Sequence, residues 1–198
     1  TALRAHLSPG DRFAVYSMNH PESFILLLAA AQTNTIMVPL NWRLSVAELR
    51  FQIEDCAPKI VFFGAEFASQ MTELAAGNPA LKTQPIEQMD AWRMAQASQA
   101  NNSNPASEAN SAEKELLIVY TSGTTGRPKG AVLAQRAIRS NAVMSHHAYD
   151  MKPDDIVLNI LPLFHFGGLN IQPLPALIIG ATVVMHKAFA PAAVLASI

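Results

Sequence analysis

A single cysteine, Cys56, stands among 198 residues, which excludes an internal disulfide and agrees with a reducing, cytoplasmic setting. Glu54 and Asp55 beside it disfavour a thiolate, so it reads as a buried structural thiol. Charge of one sign is not in excess: 14 basic residues face 15 acidic ones, which gives no electrostatic footing for nucleic acid or an anionic membrane. Long apolar runs are lacking as well. The longest, Phe24 to Ala31, falls far short of the ~20 residues that span a bilayer. Metal-ligand spacing is missing too. His146 and His147 are adjacent rather than i, i+4, and they sit near a helix end that favours cations. His6, His20 and His186 have no partner constellation, so no metal site is indicated.

What is present is an alternation. Phe13–Ser17 reads as a strand, and Asn19-His20-Pro21-Glu22 then opens a largely buried helix toward Ala31, with Asn19 or His20 near its cap. Ile36–Leu40 is a second strand, and Ser45-x-x-Glu48 is a capping box for a helix over Val46–Asp55. Lys59–Phe63 is a third strand, followed by a helix over Glu66–Ala76. The first residues, with Leu3 and Leu7, read as an amphipathic helix. Further on, Gln135–Tyr149 reads as a helix turning Ile138, Val143 and Met144 inward, and Leu169–Ile179 as an apolar helix interrupted by Pro173 and Pro175. This rhythm predicts an α/β fold of βαβ type, with largely parallel sheets flanked by helices.

Residues 95–112 break the rhythm. They are rich in Gln, Asn, Ser and Ala and cannot bury enough apolar surface to offset their ordering entropy, which predicts a flexible linker or surface loop. The division that follows is an α/β subdomain over 1–94, the linker, and a second α/β subdomain over 113–198. A long loop inside one domain is the alternative.

The densest chemistry lies in Tyr120-Thr121-Ser122-Gly123-Thr124-Thr125-Gly126-Arg127-Pro128-Lys129-Gly130, directly after the apolar run Leu116–Val119. Hydroxyls and glycine N–H groups supply donors, glycines admit close backbone approach, and Lys129 adds a point charge suited to phosphate. The spacing is not that of a Walker A loop, because Lys129 lies three residues beyond Gly126 and Gly130 stands in the Ser/Thr slot. A plain Gly/Thr-rich hairpin turn is the bland reading; so many hydroxyls favour polyphosphate. His165 is the second candidate. Flanked by Phe164 and Phe166 and followed by Gly167-Gly168, it reads by spacing alone as a core histidine packed on aromatics.

Tyr120–Gly130 resembles the signature loop of the adenylate-forming superfamily, matching the pattern [YS]-T-S-G-T-T-G-x-P-K-G in full. Leu161-Pro162-Leu163-Phe164-His165-Phe166-Gly167-Gly168-Leu169 resembles the next landmark of its acyl-CoA synthetase branch. Gly10–Val15 and Val38–Leu44 resemble that branch at the expected order and spacing. The resemblance implies part of the large N-terminal lobe of an AMP-forming acid–thiol ligase. Such an enzyme joins a carboxylic acid to AMP at the expense of ATP, with Mg²⁺ on the phosphates, and then passes the acyl group to coenzyme A.

On this resemblance Thr121, Ser122, Gly123, Thr124, Thr125, Gly126 and Lys129 bind the nucleotide's phosphates. His165 takes a catalytic place where acyl group, phosphate and thiol meet, and Phe166, Gly167 and Gly168 line the passage beside it. The family's adenine- and Mg²⁺-binding segment, ribose-binding aspartate and C-terminal lysine have no counterpart here. Ala134-Gln135 also replaces the Thr/Ser-His of many relatives. The chain thus reads as an N-terminal portion of a longer enzyme. A peptide-synthetase adenylation domain and a non-catalytic nucleotide-binding scaffold are the alternatives.

Overall fold

The computed structural model describes residues 2–97, 112–122 and 127–198. Strand β1 (Arg12–Tyr16) leads into helix α1 (Glu22–Thr33), then β2 (Ile36–Pro39), α2 (Val46–Cys56), β3 (Ile60–Phe63), α3 (Ala68–Ala76), β4 (Lys82–Pro85) and α4 (Met89–Ala97). Strands β5 (Glu115–Thr121) and β6 (Lys129–Ala134) follow, then α5 (Gln135–Ala148), β7 (Ile156–Asn159), α6 (Phe166–Asn170), α7 (Pro173–Ile179), β8 (Thr182–Met185) and α8 (Pro191–Ala196). Six strands form one sheet in the order β4-β3-β1-β2-β5-β6, and β7 and β8 form a second. Every pairing is parallel except the β5–β6 hairpin. The fold is therefore mixed α/β with mostly parallel sheets, as the alternation predicts.

Helices cover both faces of the larger sheet, so its central strands are apolar without interruption. Phe13, Val15, Met37 and Phe62 point to one face and pack with Phe24, Leu27 and Ala30 of α1 and Met89 of α4. Ala14, Tyr16, Val38, Val61 and Phe63 point to the other, against Leu49 and Ile53 of α2 and Met71 and Leu74 of α3. The capping box at Ser45 forms as read: the Ser45 N–H donates to Glu48 Oε2 at 2.9 Å, and the Glu48 N–H donates to Ser45 Oγ at 3.4 Å.

Several expectations are corrected. The first residues form a 3-10 turn over Ala2–Ala5, not an α-helix, with Leu3 and Leu7 still buried. Residues 95–97 belong to the last turn of α4, where Met89 and Trp92 pack on the core; residues 98–111 of the expected linker lie outside the described residues. Strands β5 and β6, which follow residues 95–112 in the chain, extend the sheet begun by β1–β4. In α5 the inward stripe is Gln135, Ile138, Ala142 and Ser145, spaced three and four apart, which leaves Val143 and Met144 exposed. Asn19 does not cap α1. His20 Nδ1 accepts the Glu22 N–H instead, at 3.2 Å, and the Asn19 side chain turns elsewhere.

Candidate nucleotide and acyl-transfer site

The hydroxyl- and glycine-rich motif spans the turn of the β5–β6 hairpin. Tyr120 pairs with Gly130 and Thr121 with Lys129, which closes the base of the loop, and Thr121 Oγ1 donates to the Lys129 carbonyl at 3.4 Å. Thr121, Ser122, Arg127 and Lys129 are exposed there, so two hydroxyls and two cations flank the turn. Gly123, Thr124, Thr125 and Gly126 lie outside the described residues. The motif thus lies between the paired strands β5 and β6, with exposed hydroxyls and cations on its described residues.

The base of that hairpin is anchored through its first aromatic residue. The Tyr120 hydroxyl donates to the Asp55 carboxylate at the end of α2. Burial, reinforced by this bond to Asp55, pushes the Tyr120 phenol well above its ordinary range. Cys56 lies beside it, 5 % exposed, and burial pushes its thiol up to about 11. It is a protonated structural group, in keeping with the sequence reading.

His165 follows a bend after β7 and stands at the N-cap of α6. Its Nδ1 accepts the Gly167 N–H at 3.1 Å, its backbone N–H donates to Pro162 O at 3.2 Å, and its carbonyl accepts from Leu169 N–H at 3.2 Å. The ring is exposed, not embedded among aromatics. With Nδ1 engaged as acceptor, the neutral imidazole carries its proton on Nε2, which leaves a donor free. Gly167 and Gly168 are buried under it. A Cβ on Gly168 would fall 2.1 Å from Pro162 O, so the close approach this glycine permits is to the protein's own chain. Phe166 is half-buried against the core.

Two sequence landmarks meet at this bend. Phe164 sets its ring edge-on to Trp42 at 6.0 Å, and the Arg43 guanidinium covers both rings, 4.9 Å from Trp42 and 5.7 Å from Phe164. The His165 segment is therefore seated on the turn after β2. Its link to the β5–β6 hairpin runs through α5, where Asn141 Nδ2 donates to the Asn170 carbonyl at 2.6 Å. Trp42 and Arg43 were legible only as part of a motif, and nothing in their spacing announced this contact. Among the described residues no group of three His, Cys, Asp or Glu converges to hold a metal ion, and no helix is long and apolar enough to cross a membrane.

The hairpin thus carries exposed hydroxyls and cations, and the His165 imidazole stands beside a separate tight bend. The chain belongs to the family of AMP-binding enzymes, whose model matches residues 1–198. It is 40% identical over 182 residues to an indoleacetate–CoA ligase of Aromatoleum aromaticum, covering 89% of this chain and 35% of that protein. It is 36% identical over 194 residues to a feruloyl-CoA synthase of an Amycolatopsis species, covering 98% of this chain and 37% of that one. Among solved structures, ATP-bound MatB from Rhodopseudomonas palustris superimposes with a TM-score of 0.79 at 28% identity, over 98% of this chain and 38% of that chain. The chain spans about a third of the length of the curated relatives it matches.

Proposed function

We propose that the protein carrying this chain is an AMP-forming acid–thiol ligase. A substrate carboxylate oxygen attacks the α-phosphorus of ATP and pyrophosphate leaves; the thiol of coenzyme A then attacks the acyl carbonyl and AMP leaves with the carboxylate oxygen. The observation that carries the reading is the complete Tyr120–Gly130 motif set in the turn of a hairpin, in a chain matched along its whole length by the AMP-binding enzyme family.

Adenylation needs charge stabilisation and alignment more than covalent help from the protein. In this reading the hydroxyls of Thr121, Ser122, Thr124 and Thr125 and the N–H groups of Gly123 and Gly126 hold the β- and γ-phosphates. Lys129 contributes charge at the loop's base, where its backbone also closes the hairpin. His165 offers its free Nε2–H to oxygen at the reacting centre, with Phe166, Gly167 and Gly168 shaping the floor beneath it. Mg²⁺ would travel on the ATP phosphates, since the described residues provide no cluster to hold it.

The test is acid-dependent ATP–pyrophosphate exchange followed by thioester formation in the whole protein. Indoleacetate and ferulate head the acid panel, beside fatty and short-chain acids, with coenzyme A as acceptor. Exchange stimulated by at least one acid, followed by CoA-dependent AMP release, is the expected result. A protein that binds ATP but exchanges no pyrophosphate with any acid would overturn the ligase in favour of a nucleotide-binding scaffold.

A further inference from the structure

Asn19 belongs to none of the residues so far given a role, yet its side chain makes more long-range hydrogen bonds than any other polar group described above. It lies three residues beyond β1 and is 7% exposed. Its Nδ2 donates to Leu161 O at 2.9 Å and to His186 O at 3.0 Å, and its Oδ1 accepts the Leu163 N–H at 2.9 Å. Its backbone N–H donates to Lys187 O at 3.1 Å. Leu161 and Leu163 follow β7, and His186 and Lys187 follow β8, so one amide from the large sheet engages both strand ends of the small one. Both donors of the carboxamide and its oxygen are in use.

We propose that Asn19 is a positioning residue for His165. The bend it grips consists of Leu161, Pro162 and Leu163, and the His165 N–H closes onto Pro162 O directly after it. Two backbone groups of the bend, one donor and one acceptor, are therefore satisfied by a side chain rooted in the other sheet. The pattern leaves little freedom in residue type. A shorter side chain abandons all three partners, and Asp keeps the Leu163 contact but turns a carboxylate onto two carbonyl oxygens. Gln displaces the amide by a methylene. Trp42 and Arg43 hold Phe164 from the turn after β2, so the bend is gripped by the segments that follow two neighbouring strands of the large sheet. The position of the His165 backbone is thereby fixed through Asn19, Trp42 and Arg43.

This inference rests on His165 acting at the reacting centre, and the experiment separates the two claims. Asn19→Ala, His165→Ala and the double variant are compared in the whole protein by kcat and KM for pyrophosphate exchange and for thioester formation, with thermal midpoints read in parallel. A misplacement of about 1 Å at a reacting group costs on the order of 10²-fold in rate, so Asn19→Ala should lower kcat by about that much while KM for ATP moves little. In the His165→Ala background the same change should cost less than about 3-fold, because residues acting as a unit are not additive. Asn19→Asp, nearly isosteric, should give the same non-additive pattern and replaces Asn19→Ala where the latter fails to fold. Losses that multiply independently in the double variant, or that match the unfolded fraction alone, overturn the positioning role. A His165→Ala protein with undiminished rates overturns the assignment of His165 itself, and the inference falls with it.

Discussion

The Tyr120 hydroxyl donates to the carboxylate of Asp55, which ties the first residue of the loop motif to the last turn of α2. The same hydroxyl lies 3.4 Å from the Gln52 carbonyl one turn earlier. The strand that delivers the loop is thus bolted to a helix packed on one face of the sheet, and loop placement becomes a property of tertiary packing. Tyr120→Phe removes only the oxygen. It is expected to lower stability by about 1 kcal/mol, the usual net worth of such a bond, and to slow adenylation without changing the thioester step. Chemical denaturation and pyrophosphate exchange on the same preparation measure the two effects, and unchanged exchange would separate the bolt from the loop's function.

Within the loop, Thr124→Ala, Thr125→Ala and Lys129→Ala should each impair adenylation. Loss of one preorganised donor acting mainly on the transition state costs roughly 10²–10³ in rate. Lys129 also pairs through its backbone with Thr121, which Ala preserves, so the Lys129 variant isolates the charge. Undiminished pyrophosphate exchange in all three variants would remove the phosphate assignment.

Much of the fold was legible because its central strands are buried on both faces and read as unbroken apolar runs between helical segments. The elements that escaped lack that signature. Strand β4 is Lys82-Thr83-Gln84-Pro85, half-exposed at the sheet edge, with no apolar run to announce it. Helix α4 hides its anchors, Met89 and Trp92, in a Gln- and Ala-rich context that resembles the linker beyond it. In α5, reading apolar residues as inward failed because the helix buries Gln135 and Ser145 and turns Val143 and Met144 out. His165 misled for a related reason: aromatic neighbours in sequence suggested a core ring, whereas the backbone bend sends Phe164 to Trp42 and leaves the imidazole at a helix cap. Asn19 was legible as a polar residue near a helix start, and only the tertiary structure reveals that its partners lie more than 140 residues away.

Gly167 and Gly168, adjacent and both buried, should tolerate substitution very differently. A Cβ on Gly167 meets His165 Nδ1 and Ile171 Cδ1 at 3.3 Å, contacts that small side-chain shifts relieve. On Gly168 it would fall 2.1 Å from one carbonyl oxygen and 2.9 Å from another, both backbone. Gly168→Ala is therefore expected to cost about 2–3 kcal/mol or more, and Gly167→Ala less than about 1 kcal/mol. Thermal unfolding of the two variants decides it, and equal costs would contradict the packing described.

Stability should decline in alkali. Burial raises the Cys56 thiol from 9.0 to about 11, and the Tyr120 phenol is raised as well. Both groups stay protonated in the folded chain while the unfolded chain releases its protons. Their contribution is therefore complete below about pH 9 and is lost as pH climbs toward 11, by up to roughly 2–3 kcal/mol for Cys56. Urea unfolding at pH 7, 9 and 10.5 should show this decline, shallower in Cys56→Ala. A thiol reagent at pH 8 should label native Cys56 far more slowly than denatured chain.

The six-stranded sheet is guarded unequally at its two margins. On one side β4 is short and carries Lys82 and Pro85, a charge and a missing N–H that discourage any newcomer. On the other, β6 runs for six residues through Gly130, Ala131 and Val132, with Lys129 as its sole charge and Val132 turned to solvent. A strand laid against the molecule would thus add beside β6, next to the very hairpin that carries the loop. In concentrated solution, self-association would then begin at this margin, and a charge placed at Val132 is the natural way to suppress it.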